Sequence, residues 1–541
     1  MSIGYSKINF AKAIRQFLLL LLTFLLAACG GAPSIRQPDI TVTVSADGSS
    51  REVTLAAGSL VQDALDAADV TLASTDRVNP PATTTLAGGE IVAVTRVAES
   101  FEELEILLPF ERVTLRNESL PSGETRLVQA GENGRALITL RHVYEDGIEI
   151  GSGNEVERVV LQAAVDEIVM VGVQSPFAPV PIPGKLVYLT GGNAWIMETS
   201  TSIRRPLVTS GDLDGHIFNL SSDGQWLLFT RSSSQPADQE INTLWAVSTA
   251  SPAEAPISLG VSNVVHFAAW QPGEDYLIAF STVEPRPTAP GWQANNDLHF
   301  LIFEDEKPGA TYNILETNSG GIYGWWGTTF TWSPDGTRIA YSRPDGIGLV
   351  DINGSAYSLL LNVTPYNTRS DWAWTPGLAW GSDNQTLYLV THAAPGGLVN
   401  PEESPNFDLL AISLTNNTGS TLVEGTGMFS YPSASSLRTD ETGASLYRLA
   451  YLQAIFPVQS AASRYRLIVS ASNGANPQTI FPAEGQTGIE PQTPVWAPHV
   501  LASGGDFLAV IYEGNLWIVD AASGEYQQVT GDGLTSRIDW K

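Results

Sequence analysis

The sequence predicts a mainly β protein with a small α+β domain, a thin single-sheet domain and a seven-bladed β-propeller that the C-terminal strand closes. Three observations predict this fold class. Alternating apolar residues and one short amphipathic helix follow residue 39, glycines interrupt half-polar strands in the middle of the chain, and one phrase repeats from residue 185 onward. The single cysteine of the 541 residues leaves no disulfide, so stability must come from packed cores.

The first 28 residues have the pattern of a secretion signal, with a basic start, an apolar run and small residues before Cys29. The apolar run is about ten residues long, half of the ~20 that a helix needs to span a bilayer. The letters LAAC that end at Cys29 resemble the bacterial lipobox, whose cysteine carries the lipid after cleavage. The resemblance implies a lipoprotein signal peptide at 1–28, palmitate or a similar acyl chain on Cys29, and a tether over 29–39. An ordinary signal peptide with an incidental cysteine is the alternative.

The charge of the chain is strongly acidic, with 57 Asp and Glu against 28 Lys and Arg and a formal net charge of -29. Such a chain should repel nucleic acid and anionic lipid headgroups. The charge therefore predicts no nucleic-acid partner. Solubility of an exported protein is a sufficient explanation for it.

Residues 40–97 predict the α+β domain. Ile40, Val42 and Val44 share one face of a strand, Asp47-Gly48 forms a hairpin turn, and apolar residues at helical spacing follow over 60–68. The final strand, EIVAVTRV, closes the small sheet. The order of these elements and the phrase VxxALxxAxVxL resemble the ubiquitin-like domain that precedes the G5 domain in YabE-like proteins.

Residues 98–174 contain half-polar strands separated by glycine, which suits a thin sheet with little core. The segments LPFERV, SGETRLVQAGENGRA and VDEIVMVG resemble the G5 domain of bacterial surface adhesins and cell-wall hydrolases. The resemblance implies attachment to the cell envelope or matrix, with N-acetylglucosamine as a ligand. A role as a stalk is the alternative. Four prolines then predict an extended linker over 175–184.

Residues 185–541 repeat a phrase that is most complete as FTWSPDGTRIAYSRPDGIGLVDI, beginning at Phe330. Repeats of about 40–50 residues with four strands each indicate a propeller. The position of Trp332 recurs at Leu220, Trp270, Trp380, Tyr431, Trp496 and Trp540. The last copy ends after one strand and the first copy lacks its inner strand, which predicts that the two complete one blade. We expect the aligned tryptophans to pack between blades.

The repeat WSPDGxxIAY resembles that of TolB-like propellers, which also occur beside the catalytic domain of prolyl-oligopeptidase-type peptidases. Here no GxSxG follows, and the SxDG turns lack the spacing of sialidase Asp-boxes. The six histidines have no metal-ligand spacing, and nucleotide-binding glycine loops are absent from the sequence. The sequence therefore predicts no enzyme activity, no metal and no cofactor.

Aromatic residues in three predicted loops are the strongest candidates for a binding site. Two loops join an outer strand to the next inner strand, and one joins the second and third strands, so all three share one end of the propeller. The candidate ligand-binding residues are Trp292, Tyr323, Trp325, Trp326, Tyr366, Trp372 and Trp374. The alternative is that these rings fill the channel or pack between blades.

Together these predictions describe a non-enzymatic, extracytoplasmic protein that is lipid-anchored to the cell membrane or outer membrane. Its expected partners are an N-acetylglucosamine-containing cell-wall or matrix glycan at the G5 domain, and a protein or glycan at the propeller. A cell-wall remodelling enzyme or accessory with an unrecognised site at the propeller mouth is the alternative function.

Overall fold

The structure is a computed structural model, and it describes residues 38–118, 120–151, 153–173, 177–250, 254–273, 276–394, 400–439, 443, 445–501 and 505–541. Cys29 and the predicted signal peptide lie outside these residues. Strands contain 52% of the residues and helices 3%, which confirms the predicted mainly β fold class. The described residues up to Thr114, with Leu127–Val169, form one compact unit; Leu115–Arg126 and Met170–Lys541 form the other.

The domain predicted over 40–97 is a four-stranded mixed sheet with one helix. Its strand order is β2-β1-β4-β3, and β1 and β4 are parallel. Val42 and Val44 face the core as their alternation predicts, and they pack with Leu65 of the helix. The elements are β1 (Ile40–Ala46), β2 (Ser49–Leu55), α1 (Val61–Ala67), β3 (Arg77–Asn79) and β4 (Ile91–Thr95).

The next segment forms two sheets rather than the single sheet that the sequence predicts. The pairing of β5 with β8 ends at Leu108 and Gly134, where β8 begins, and Pro109, which has no N–H to donate, follows β5 directly. One sheet has the order β10-β8-β5 with β9 on β8, and the other has the order β6-β11-β7. The strands are β5 (Val97–Leu108), β6 (Arg112–Asn117), β7 (Thr125–Gln129), β8 (Gly134–Glu145), β9 (Ile148–Glu149), β10 (Asn154–Gln162) and β11 (Glu167–Gly172).

The remaining strands form one three-stranded sheet, six four-stranded antiparallel sheets and two small hairpins, within the described residues. The first three sheets and one hairpin contain β12 (Pro181–Thr190), β13 (Asn193–Val208), β14 (Leu213–Leu220), β15 (Trp226–Ser232), β16 (Asn242–Ser248), β17 (Ile257–Ser262), β18 (Phe267–Trp270), β19 (Leu277–Ser281), β20 (Val283–Pro285), β21 (Trp292–Ala294), β22 (Leu298–Glu304) and β23 (Lys307–Leu315). In the third sheet the order is β18-β19-β22-β23, and β20-β21 is the hairpin inserted between its second and third strands.

The other four-stranded sheets follow in chain order. Their strands are β24 (Thr329–Trp332), β25 (Ile339–Arg343), β26 (Gly346–Asp351), β27 (Ala356–Asn362), β28 (Leu378–Trp380), β29 (Thr386–His392), β30 (Phe407–Ser413), β31 (Thr418–Val423), β32 (Ser433–Ala434), β33 (Arg438–Thr439), β34 (Ser445–Leu446), β35 (Arg448–Ala454), β36 (Tyr465–Ala471), β37 (Gln478–Phe481), β38 (Val495–Trp496), β39 (Phe507–Tyr512), β40 (Asn515–Asp520) and β41 (Tyr526–Gln528). Short 3-10 helices lie at Gly324–Trp326, Pro401–Glu403 and Pro457–Gln459.

The first sheet is completed by the last strand, β42 (Thr535–Trp540), which pairs antiparallel with β12. The innermost strands contact one another in the order β42, β14, β18, β24, β28, β32, β38 and back to β42. The ring is therefore closed, and the closure by the C-terminal strand that the sequence predicts is present. Closing the ring in this way protects the sheet edges next to the axis.

Most of the aligned tryptophans pack between neighbouring sheets, as expected. The Trp380 indole N–H donates to the Thr331 carbonyl of the preceding inner strand at 3.1 Å, and Trp496 donates to Ser433 in the same way. The alignment of Tyr431 is wrong, because Ala434 occupies this position and pairs with Leu449. Tyr431 lies three residues earlier, with a positive φ of 37°.

The linker predicted over 175–184 is shorter than expected. Residues 181–184 belong to β12, and the backbone N–H of Val180 donates to the Thr201 hydroxyl at 3.0 Å. Gly184 lies so close to the Lys541 carbonyl that a Cβ there would overlap it. The second half of the four-proline segment therefore belongs to the propeller. Ile182 and Pro183 are buried, and the Pro183 carbonyl accepts a hydrogen bond from Trp540 of the C-terminal strand.

Candidate binding site at one end of the propeller

The loops that carry the predicted aromatic residues lie at one end of the propeller. Successive strands of each four-stranded propeller sheet run in opposite directions. The connection between the second and third strands therefore lies at the same end of the propeller as the connection from the outer strand to the inner strand of the next sheet. We call this end the mouth and the opposite end the base. The segments 316–328 and 363–377 and the β20-β21 hairpin belong to the mouth.

Asn296 holds the loop before β24 in place. Its side chain is fully buried, donates to the Gly324 carbonyl at 2.9 Å, and accepts from the Thr328 hydroxyl at 2.9 Å. Gly324 is needed because a Cβ there would overlap the Ser319 carbonyl. The 3-10 turn that presents Trp325 and Trp326 is therefore fixed from beneath.

The structure brings several predicted residues together. The Trp326 indole N–H donates to the Asp371 carbonyl at 3.1 Å, which joins two neighbouring loops. Trp372 is 37% exposed, and its ring lies 6.3 Å from that of Phe429. Tyr323 and Trp325 are half-buried in the first of these loops.

Trp374 and Tyr366 pack inward rather than toward the mouth. Trp374 is 1% exposed, and its indole N–H donates to the Met428 carbonyl at 2.9 Å. Tyr366 is half-buried and contacts the rings of His392 and Phe407. A buried ring cannot offer its face to a ligand, so Trp374 belongs to the core, which is the alternative that the sequence left open.

Trp292 lies on the inserted hairpin, with its ring 4.4 Å from that of His266. Burial, and secondly the nearby charge of His216, lowers the pKa of His266 to about 4. The Nε2 atom of His266 is buried and has no hydrogen-bond partner among the described residues. The neutral imidazole packs between Trp292 and Gly327. A Cβ on Gly327 would lie 2.7 Å from the imidazole ring.

Four further apolar residues at the mouth were not predicted from the sequence. Ile322 is 89% exposed, Val458 64%, Phe456 62% and Leu534 61%. All four lie in outer-to-inner loops or in second-to-third-strand loops. Apolar residues beside glycine or proline in such loops are a detectable pattern, but a search for aromatic residues alone finds only Phe456 of the four.

Two polar cavities open near the axis on the same side. One is about 460 Å³ and is lined by His216, Asn219 and Asp539, among others. The other is about 590 Å³ and includes Arg464 and Glu490. Both cavities include Gln492 and Arg537, so they adjoin. Within the described residues there is no group of three or more His, Cys, Asp or Glu side chains that could hold a metal ion.

The thin domain shows why its glycines are needed. A Cβ on Gly134 would meet the backbone of Gln162 and Ala164, and a Cβ on Gly172 would meet the Pro121 carbonyl. The family model of the G5 domain matches residues 99–174. This segment is a G5 domain. The model of the G5-linked ubiquitin-like domain matches residues 42–83, so both predicted resemblances are confirmed.

Several solved structures are similar to parts of the chain. The G5 domain of IgA1 protease is 22% identical, with 15% of this chain and 94% of that chain covered and a TM-score of 0.11. TolB from Acinetobacter baumannii is 10% identical over 69% of this chain and 95% of its own, with a TM-score of 0.32. A prolyl endopeptidase is 12% identical, with 65% of this chain and 49% of that chain covered and a TM-score of 0.39. This chain thus covers about half the length of that peptidase. No curated protein sequence matches the chain.

Proposed function

We propose that this chain is a non-enzymatic, lipid-anchored binding protein of the cell envelope. In this proposal the lipid is on Cys29, the G5 domain binds an N-acetylglucosamine-containing glycan, and the mouth of the propeller binds a protein. No helix in the described part of the chain is long and apolar enough to cross a bilayer.

The observation that carries the proposal is the position of the exposed apolar residues. Ile322, Phe456, Val458 and Leu534 stand on mouth loops and are the most exposed large apolar residues in the described part of the propeller. Exposed apolar groups on a soluble domain mark an interaction surface when they concentrate in one region. The aliphatic side chains of Ile322, Val458 and Leu534 favour a protein over a sugar as the partner, because sugars bind mainly to flat aromatic faces and hydrogen-bonding groups.

The mouth is tested by two substitutions with a matched control. A partner captured by the full chain from envelope extract is purified, and its affinity is measured for Ile322→Ser and Trp372→Ala. Leu359→Ser is the control, because Leu359 is 50% exposed on an outer strand away from the mouth. We expect losses of tenfold or more for the mouth variants and little change in melting temperature. Equal affinities for all variants would argue against the mouth.

The G5 proposal is supported by apolar residues on one face of its first sheet. The register places Phe101, Leu107 and Val159 on the same face, and all three are exposed. Arg135 and Arg141, opposite Leu107 and Phe101, form ion pairs with Glu105 and Glu99 and bring charged hydrogen-bonding groups to this face. We expect Phe101→Ser to weaken binding of an N-acetylglucosamine tetramer to the full chain, measured by calorimetry. Unchanged binding would favour a spacer role.

A further inference from the structure

A further cavity lies at the base of the propeller, away from the mouth. Its volume is about 650 Å³, within the range of about 300–1,000 Å³ that is typical of small-molecule sites. We call it the base cavity. It is lined by Arg438, Thr439, Leu446, Tyr447, Arg448, Val469, Ser470, Ala471, Ser472, Asn473, Asn476, Gln478, Ala521 and Ala522.

An inserted hairpin forms one wall of the base cavity. The strands β33 and β34 lie between the first and second strands of their sheet. The turn between β36 and β37 forms a second wall, and Ala521 of the neighbouring sheet forms a third. The cavity therefore exists because of this insertion.

Two arginines at the base cavity share one carboxylate. Arg438 pairs closely with Asp506, whose side chain is only 6% exposed. Arg448 donates to the Ala521 carbonyl at 3.0 Å, and its nearest contact with Asp506 is 3.8 Å, beyond hydrogen-bond length. The Nε–H of Arg438 is buried and has no hydrogen-bond partner among the described residues. The Arg448 side chain is 38% exposed, so its remaining N–H groups are available to an acceptor in the cavity.

The rest of the lining suits a sugar. Asn473, Asn476 and Gln478 are exposed at the rim and supply amides that both donate and accept. Tyr447 is a buried ring at the floor of the cavity, and its hydroxyl is held by Tyr388 and Asp383 at 2.8 and 2.9 Å. A polar rim of this kind is suited to a small hydroxylated ligand.

We propose that the base cavity binds a sugar that carries a carboxylate. The carboxylate pairs with Arg448, and the sugar hydroxyls bond the amides of the rim. The ligand class is the acidic saccharide, which occurs as uronic acid in matrix polysaccharides and as muramic acid in cell wall. This site is independent of the proposed binding at the mouth and at the G5 domain.

The test measures binding of four sugars to the full chain by calorimetry. Glucuronic acid is compared with glucose, and N-acetylmuramic acid with N-acetylglucosamine, since each pair differs by the carboxylate-bearing group. The variant is Arg448→Gln, and Gln478→Ala tests the rim without changing charge. Arg466→Gln is the control, because Arg466 lies on the same strand, β36, that borders the cavity but does not line it.

We expect an acidic sugar to bind in a salt-sensitive manner, with affinity reduced about tenfold or more by Arg448→Gln and less by Gln478→Ala. Arg466→Gln should leave the affinity unchanged. Preference for glucuronic acid would indicate matrix polysaccharide, and preference for N-acetylmuramic acid would indicate cell wall. Failure of both acids to bind, or equal affinity in Arg448→Gln, would overturn the proposal. Any N-acetylglucosamine binding that Arg448→Gln leaves intact and Phe101→Ser removes belongs to the G5 domain.

Discussion

Removal of the closing strand β42 should destabilise the propeller far more than the deletion of six exposed terminal residues usually destabilises a protein. Trp540 is 1% exposed and pairs with Leu186, and its indole N–H donates to the Pro183 carbonyl at 2.6 Å. Truncating a buried tryptophan typically costs about 3–5 kcal/mol. Trp540→Ala should therefore lower the free energy of unfolding by about that amount.

Deletion of 536–541 removes more than the tryptophan. Arg537 donates to the Gly215 carbonyl at 2.7 Å, Asp539 accepts from the Leu220 N–H at 2.7 Å, and Lys541 exchanges two backbone bonds with Lys185. At about 1 kcal/mol net for each of these bonds, the total loss is about 7–9 kcal/mol. Because whole proteins are stable by only about 5–15 kcal/mol, the deletion should leave the ring open or unfolded.

The assay is chemical denaturation and size-exclusion chromatography of the full chain, the deletion and Trp540→Ala. Trp372→Ala is the matched control, since it truncates the same residue type at a position that is 37% exposed. We expect the control to lose less than about 1 kcal/mol. An unchanged unfolding midpoint for the deletion, or equal losses for the two tryptophan variants, would refute the closure reasoning.

Two further predictions concern the anchor and a buried histidine. Cys29→Ser should abolish acylation and release the protein from membranes, which fractionation and metabolic labelling with palmitate would measure; membrane retention at the wild-type level would contradict the anchor. His266 should titrate near pH 4 by NMR, because burial lowers its pKa from the usual 6.5. The contribution of the neutral imidazole to stability is complete above pH 6.5 and decreases as the pH falls toward 4. The variant His266→Phe should lose this pH dependence. Titration of His266 near pH 6.5 would show that the ring is solvated.

The sequence predicts the fold well where a local rule decides it. Asp47 and Gly48 both have positive φ, as the hairpin turn requires, and β4 closes the first sheet as expected. The repeat predicts the sheets because its turns and apolar strands recur. Tyr431 is misplaced because this copy has neither the tryptophan nor the Asp-Gly turn that fixes the alignment elsewhere, and its inner strand is only Ser433–Ala434.

The binding site is predicted only in part, because exposure depends on neighbours that are distant in the sequence. Trp372 and Trp374 are two residues apart in one loop, yet one is exposed and the other is buried against Met428 and Phe407. Nothing in the local pattern distinguishes them. The base cavity is also invisible in the sequence, because its walls come from an inserted hairpin and a neighbouring sheet.

The pairing of β12 with β42 has a consequence for synthesis. Pro183 and Trp540 are 357 residues apart, so β12 emerges from the ribosome first and waits for the last strand of the ring. For an unstructured chain of that length, bringing the ends together costs about 5 kcal/mol of entropy. Until then one edge of β12 stays unpaired, and an unpaired edge can recruit other chains. We expect the nascent chain to need a chaperone at this edge, and sequence changes in β12 to affect yield more than final stability.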